Sequence, residues 1–288
     1  MNQKRMFTIP AEYDGMTVKA YARQILKISG RALIKQKHQE DGITINGRHS
    51  RTIDILHTND ILSFQLPPET PDYTPIPLAL EICYKDENFL VVNKPPAMPV
   101  HTSGGHQTDS LLNAVAYYDR QQGEAHIFRP LYRLDRDTSG VVWIARNRMA
   151  ASGSTVRKTY YGICQGILKG QGRIDKPIGF KNGSKIVRQA GHGSRAVTNW
   201  RAMKHAGGYT LLAFQLETGR THQIRVHLSD LGYPLAGDDL YGGNQTRIGR
   251  QALHCMETEL SCKVFKLDMK QNASYPEDML TAFPELLT

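Results

Sequence analysis

Two kinds of hydrophobic pattern divide this chain. Near the N-terminus, Val18, Ala22, Ile25 and Leu26 recur at helical spacing and predict an amphipathic helix. On that helix Lys19, Arg23 and Lys27 fall at i, i+4 and i+8 and would share a second face. Ser29-Gly30 breaks the helix, and Arg31 to Lys37 predicts a second, short one. Residues 42–47 (GITING) predict a short strand ending in an Asn-Gly turn, and residues 61–66 a further strand. Beyond residue 80 the apolar runs become short and continuous. FLVV at 89–92 and VVWIA at 141–145 show no polar alternation and read as strands buried on both faces. KTYYGI at 158–163 and TLLAFQL at 210–216 add two more strands, and Ser110 is placed to cap a helix over 111–118. Residues 220–231 fit either a helix or an extended segment, and 151–154 (ASGS) reads as a shortened loop. Strands predominate and do not alternate regularly with helices. The expected fold is therefore α+β with a mixed, mainly antiparallel sheet and flanking helices.

Five prolines between residues 67 and 77 predict an extended, semi-rigid linker. The expected organisation is a small unit over 1–66 with its core at 14–66, a linker at 67–79, and a large domain over 80–288. Charge sharpens the picture. The chain of 288 residues carries 36 Lys+Arg against 27 Asp+Glu, a formal net charge of +9, which favours an anionic partner. Eight of the cations but only two acids lie between residues 16 and 51. A helix face bearing Lys19, Arg23 and Lys27 without acids, with Arg31 on the next helix, suits phosphate contacts, whereas an ordinary solvated face would mix both signs. Four scattered cysteines form no disulfide framework, and the first ten residues contain no signal-like apolar stretch. A cytoplasmic protein without a membrane span, and a monomer, is expected.

The densest candidate chemistry is LYRLDRDTSG at 131–140. Asp135 lies between Arg133 and Arg136, with Asp137 next, directly before the apolar run. Neighbouring guanidiniums keep a carboxylate ionised, which suits a catalytic nucleophile and equally a structural ion pair. A second run, ETGRTHQIRVH at 217–227, packs Arg220, His222, Gln223, Arg225 and His227 together. Arg and Gln suit phosphate and base edges, while the spacing of His222 and His227 and the absence of a third nearby ligand argue against zinc. In the third run, Lys158 and Tyr160 lie on a predicted strand, where an aromatic is ordinarily core but beside a nucleic-acid pocket can stack on a base.

Taken together, the runs resemble the RluA-type pseudouridine synthases. The matching residues are Val91 to Pro95 with Met98 to His101, Arg133-Leu134-Asp135 with Asp137 to Gly140, Lys158 to Tyr160, Gly219 to His227, and Gly232 to Leu235 with Gly237-Asp238. Residues 14–66 resemble the αL RNA-binding module. The resemblance implies that Asp135 is the catalytic aspartate, that Tyr160 stacks on the target uracil, and that Arg225 pairs with the aspartate. It implies RNA contacts for Arg133, Arg136, Lys158, Arg220, His222, Gln223 and the N-terminal cations. It also implies a flipped-out uridine, no cofactor and no metal, with large-subunit ribosomal RNA the favoured substrate and transfer RNA the alternative. Two departures stand out: Tyr132 replaces a histidine found in many members, and residues 146–157 are short. Competing readings are a non-catalytic RNA-binding or ribosome-assembly factor, a nuclease using Asp135, Asp137 and Asp238-Asp239 around a metal, and a structural basic protein.

Overall fold

The computed structural model describes residues 3–39, 41–66, 73–102 and 105–288. The N-terminal residues form an antiparallel sheet in the order Gln3–Thr8, Ile61–Leu66, Ile43–Ile45, Arg48–His49. Two helices lie against it, α1 (Val18–Gln24) and α2 (Gly30–Lys37), N-capped by Thr17 and Ser29. Asn46 and Gly47, both at positive φ, make the turn between the second and third strands in sequence order. Val18, Ala22, Leu26, Leu33, Ile43 and Phe64 form a core of their own. Met149 joins it from the large unit, and Arg5 reaches Glu87 at 3.2 Å.

One expectation for this region fails. The helix ends at Gln24, so Lys27 does not continue its face but lies beyond the end at φ 55°. The chain folds back there: Ile28 N–H donates to Ala22 O at 2.8 Å, and Arg23 Nη1 donates to Ile28 O at 3.0 Å. That turn buries Leu26 and Ile28, a gain continued helix would forgo.

Of the proline-rich segment, residues 67–72 lie outside the described residues. Residues 73–80 are irregular but not a free spacer. Tyr73, Leu78 and Leu80 pack on the large core, and Asn113 Nδ2 donates to Thr74 O at 2.9 Å. The helix that carries Asn113 is α3 (Leu111–Gln121), begun by a reciprocal capping box between Ser110 and Asn113.

The large unit is built on one broad sheet. Its strands run in the order Gln171–Asp175, Val197–Ala206, Tyr209–Leu216, Ser154–Gln165, Leu253–Cys262, Ser139–Ala145, Phe89–Lys94, Glu81–Lys85. Leu267–Asn272 pairs with Leu253–Cys262, and Arg129–Pro130 with Ser139–Ala145. All of these pairings are antiparallel but one, between Leu253–Cys262 and Ser139–Ala145. The mainly antiparallel α+β architecture is thus as expected. The continuous apolar runs are explained by two-sided burial: Leu90, Val92, Val142 and Ile144 face one core, while Phe89, Val91, Val141 and Trp143 face another. The expected loop at 151–154 is instead the end of α4 (Arg148–Gly153) and the start of the Ser154–Gln165 strand. Asn147 caps that helix, and Ser154 Oγ donates to Ala150 O at 2.6 Å. The ambiguous run at 220–231 contains α5 (Gln223–Asp230). Two short helices, α6 (Glu277–Ala282) and α7 (Pro284–Leu287), cover a further apolar cluster around Ile163 and Leu211.

The single parallel pairing is what positions the site. His254 lies opposite Ser139 and Cys255 opposite Gly140, while on its other side Cys255 lies opposite Tyr160. Gly140 sits at φ 119°, and a Cβ there would lie 2.2 Å from Cys255 O. Only glycine permits both the conformation and the approach. Replacing Gly140 by Ala is expected to destabilise by about 1–3 kcal/mol from backbone strain and displaced strands. Thermal unfolding checks it, and a melting temperature equal to wild type would contradict the close approach.

Candidate active site

The 131–140 run enters the sheet as a loop followed by the Ser139–Ala145 strand. Its backbone is held from inside. Thr138 N–H donates to Asp135 O at 3.1 Å, closing a turn. Lys94, fully buried at the end of the Phe89–Lys94 strand, donates through Nζ to Pro95 O, Met98 O and Arg136 O at 2.7–2.9 Å. Burial pushes the Lys94 pKa down to about 7, and the charges of Asp137 and Asp135 pull against that shift. The ammonium ties the 95–98 loop to the loop that carries Asp135.

Asp135 then projects, with a quarter of its side chain exposed, into a cleft of about 250 Å³. The walls come from the three runs singled out in the sequence: Tyr160 and Lys158 from one strand, and Arg220, His222 and Arg225 from the 217–227 segment. Arg225, on α5, approaches Asp135 Oδ2 through Nη1 at 3.8 Å, close enough for attraction but not for a hydrogen bond. Its principal partner is Asp238. Arg225 Nε donates to Asp238 Oδ2 at 2.8 Å and Nη2 to Oδ1 at 2.7 Å, and both side chains are almost wholly buried. Burial acts to lower the Arg225 pKa, but the Asp238 hydrogen bonds and charge outweigh it and the net shift is upward. The guanidinium also sits 5.0 Å from the centre of the Tyr241 ring. Asp238 therefore fixes Arg225, and one nitrogen remains to face Asp135. The implied pairing of Arg225 with Asp135 is accordingly a longer, secondary contact.

Tyr160 is 6% exposed and packs in the core with Leu134, Phe214 and Ile224. It lies opposite Cys255 across the paired strands. Burial holds the phenol well above its usual pKa and pushes the Cys255 thiol up to about 12, so both stay neutral. Tyr132 does not replace a histidine at the surface in any simple sense. Its hydroxyl donates to Val141 O at 2.8 Å, and its ring lies 4.7 Å beneath Lys158 Nζ. It is a platform for that lysine.

His222 caps α5 in a left-handed conformation, φ 58°, with Nδ1 2.8 Å from the Tyr241 hydroxyl. Arg188 N–H donates to the same oxygen at 3.0 Å. The phenol proton is then best used on Nδ1, which leaves His222 protonated on Nε2. Burial lowers the His222 pKa, so the ring favours its neutral form.

Other expected positions divide. Arg133 and Arg220 are exposed at the cleft, Arg220 donating from Nε to Arg195 O at 3.0 Å. Arg136 pairs with Asp137 at 3.0 Å, so the picture of Asp135 clasped by its sequence neighbours is replaced by one in which its nearby cation is Arg225. Gln223 is turned inward, and its amide is engaged within the protein. Its Oε1 accepts from Thr218 Oγ1 and Arg220 N–H, and its Nε2 donates to Val197 O and Thr198 Oγ1, which uses the whole amide. His227 is likewise spent on Thr198 and Lys176 O. Lys19, Arg23, Lys27 and Arg31 are all exposed on the N-terminal unit. The nuclease reading loses two carboxylates, since Asp137 is paired with Arg136 and Asp238 with Arg225.

A larger concavity of about 550 Å³ lies beside Arg5, Lys85, Glu87 and Arg146, but mutual ion pairs occupy its walls. Nearby, Asp119, Glu124 and His126 have metal-like spacing. Arg146 already bonds both acids and supplies the positive charge an ion would bring.

Comparison with known proteins points to one family. Residues 88–230 match the family described as RNA pseudouridylate synthase. The chain is 38% identical over 275 residues to the uncharacterized RNA pseudouridine synthase YjbO of Bacillus subtilis, covering 92% of this chain and 97% of that one. It is 32% identical over 301 residues to ribosomal large subunit pseudouridine synthase D of Pseudomonas aeruginosa, covering 96% and 94%. The human RNA pseudouridylate synthase domain containing 1 superposes with a TM-score of 0.56 at 25% identity, covering 69% of this chain and 84% of that chain.

Burial lowers the Lys158 pKa below its usual value of 10.5. Its charge is therefore lost as pH rises through that depressed value. RNA affinity is expected to weaken on the alkaline side earlier than an exposed lysine would allow, and Lys158→Arg should move that limb to higher pH. Binding measured across the alkaline range checks this, and an unmoved limb in the arginine variant would rule it out.

Proposed function

The chain belongs to the RNA pseudouridylate synthase family, in its RluA-type branch, and from that premise we propose that it isomerises uridine in large-subunit ribosomal RNA with Asp135 as the catalytic carboxylate. The observation that carries the reading is the cleft itself. A carboxylate, a neutral tyrosine ring and a guanidinium anchored by a buried acid converge on a space of about 250 Å³. That is smaller than the roughly 300–1,000 Å³ of pockets for drug-sized ligands and suits one nucleotide, not a duplex.

The target base leaves its stack at a cost of a few kcal/mol. Contact with the Tyr160 ring returns about 1–3 kcal/mol of it. Asp135 either bonds to ribose C1′ as the bond from uracil N1 breaks and is released when C5 bonds to C1′, or stabilises the separated sugar through its charge. The base rotates, a bond forms between C1′ and C5, C5 loses its proton and N1 gains one. Atoms and electrons balance without a redox partner or group donor. Arg225, held by Asp238, faces Asp135 at 3.8 Å and orients it. The name of the Pseudomonas relative supports the ribosomal substrate, and so does the basic N-terminal unit, which we assign as an αL-type RNA-binding module joined through 67–79 to the catalytic domain at 80–288.

Asp135→Asn is expected to lower turnover by roughly 10³-fold or more while RNA affinity holds, because shape and contacts persist but the carboxylate is gone. Product formation in a single-turnover assay decides it, and near-wild-type conversion would remove Asp135 from the role. Mapping pseudouridines in RNA from cells with and without the gene identifies the substrate. Replacing Lys19, Arg23 and Arg31 together by Ala should weaken binding and flatten the dependence of log affinity on log salt by roughly 2, one partial counterion per lost phosphate contact. An unchanged slope would leave the N-terminal unit without this function.

A further inference from the structure

We infer that the Arg250–Asp278 pair is a positioning device for the reaction, which makes α6 part of the support of the active site. The inference rests on the reading of Asp135 as the catalytic carboxylate.

Three consecutive carbonyls, those of Asp135, Arg136 and Asp137, set the path of the loop that presents Asp135. The first is satisfied locally by Thr138 N–H, and the second by Lys94 Nζ and Met98 N–H. The third accepts from Arg250 Nη1 at 2.9 Å. Arg250 Nη1 also donates to Gln251 O at 3.1 Å, and Gln251 Nε2 reaches Thr138 Oγ1 at 3.3 Å, so two neighbouring residues hold the same loop. The other edge of the Arg250 guanidinium is taken by Asp278. Nε donates to Oδ2 at 2.7 Å and Nη2 to Oδ1 at 2.8 Å. A guanidinium is planar and rigid, so a bidentate grip on one edge fixes the direction of the remaining nitrogen.

The backbone of Arg250 also touches the other half of the site. Gly237, at φ 76°, directly precedes Asp238, and a Cβ on it would lie 2.0 Å from Arg250 O. Arg250 is therefore wedged between the loop of Asp135 and the loop of Asp238, the residue that fixes Arg225. The Asp278 side chain is 40% exposed, so the ion pair adds little to global stability. Its consequence is geometric: without it, Nη1 is free to swing away from Asp137 O and the loop loses one of its three inner restraints. Small displacements of a reacting group lower rate far more than they lower stability.

The protein supplies its own control. Arg247 and Glu285 form a similar pair, with Nη1 2.6 Å from Oε1 and Nη2 3.2 Å from Oε2, joining the same segment to α7. The Arg247 guanidinium lies over Tyr209 and Phe283, so among the described residues its partners are Glu285 and these two rings and not the carbonyls of the Asp135 loop. The test compares Asp278→Ala, Asp278→Glu and Glu285→Ala in the full chain, by single-turnover rate at saturating RNA, RNA affinity and thermal unfolding. Asp278→Ala is expected to slow conversion about ten-fold with affinity unchanged, and Asp278→Glu to recover most of the rate. Glu285→Ala is expected to lose as much thermal stability as Asp278→Ala while keeping the wild-type rate. Equal rates for the two alanine variants, or a loss confined to affinity, would overturn the inference. Asp135→Asn is run alongside. If it retains turnover, the reading of Asp135 falls and this inference with it. If it is inactive while Asp278→Ala converts RNA normally, the inference alone falls.

Discussion

The buried pair of Arg225 and Asp238 is the interaction on which the rest of the site depends. Withdrawing either charge from water alone costs several kcal/mol, and removing one partner of such a pair typically costs about 3–5 kcal/mol. The bidentate geometry offsets that desolvation and leaves no freedom in where the guanidinium points. Everything else at the cleft is placed relative to it. Tyr241 underlies the guanidinium and holds His222, α5 starts at His222 and carries Arg225, and Asp135 meets the one nitrogen left over. Arg225 is held by Asp238 at hydrogen-bond distance, so its approach to Asp135 is a 3.8 Å contact.

The second constraint is register. Because Cys255 lies between Gly140 and Tyr160, a slip of one residue on either side would turn Tyr160 away from the cleft or move the Asp135 loop along the sheet. Gly140 locks one side, since no other residue tolerates both its φ and the approach of Cys255 O. The core and the site therefore share residues: Leu134 and Tyr160 belong at once to the main hydrophobic cluster and to the cleft wall.

Much of this was legible in the chain. The apolar runs marked the central strands because two-sided burial leaves no polar alternation. The capping serine at 110 and the Asn46-Gly47 turn marked local structure because their chemistry is local. Lys27 was misplaced for the opposite reason: helical spacing continued through it, but the burial of Leu26 and Ile28 ended the helix earlier. Gln223 looked like a base-reading amide until its four partners, from two separate stretches of chain, were brought around it. Arg136 and Arg133 looked like the cations beside Asp135 because they are its neighbours in sequence, but Arg136 sits in a turn where Asp137 takes its guanidinium, and the cation that approaches Asp135 is Arg225.

By itself, the sequence determined the residue types present, the secondary structure that local chemistry can encode, and a family resemblance that placed Asp135, Tyr160 and Arg225 in one site. Only the tertiary structure decided partnership. It assigned Asp238 to Arg225, Tyr132 to Lys158 as a platform, and Arg250 to the carbonyl of Asp137. Hydrogen bonds and ion pairs act over a few ångströms of space, and these partners lie 13, 26 and 113 residues apart in the chain. Distance along a sequence carries no record of which of many arginines and acids will meet; that is set by how the sheet packs and which loops it brings to one edge.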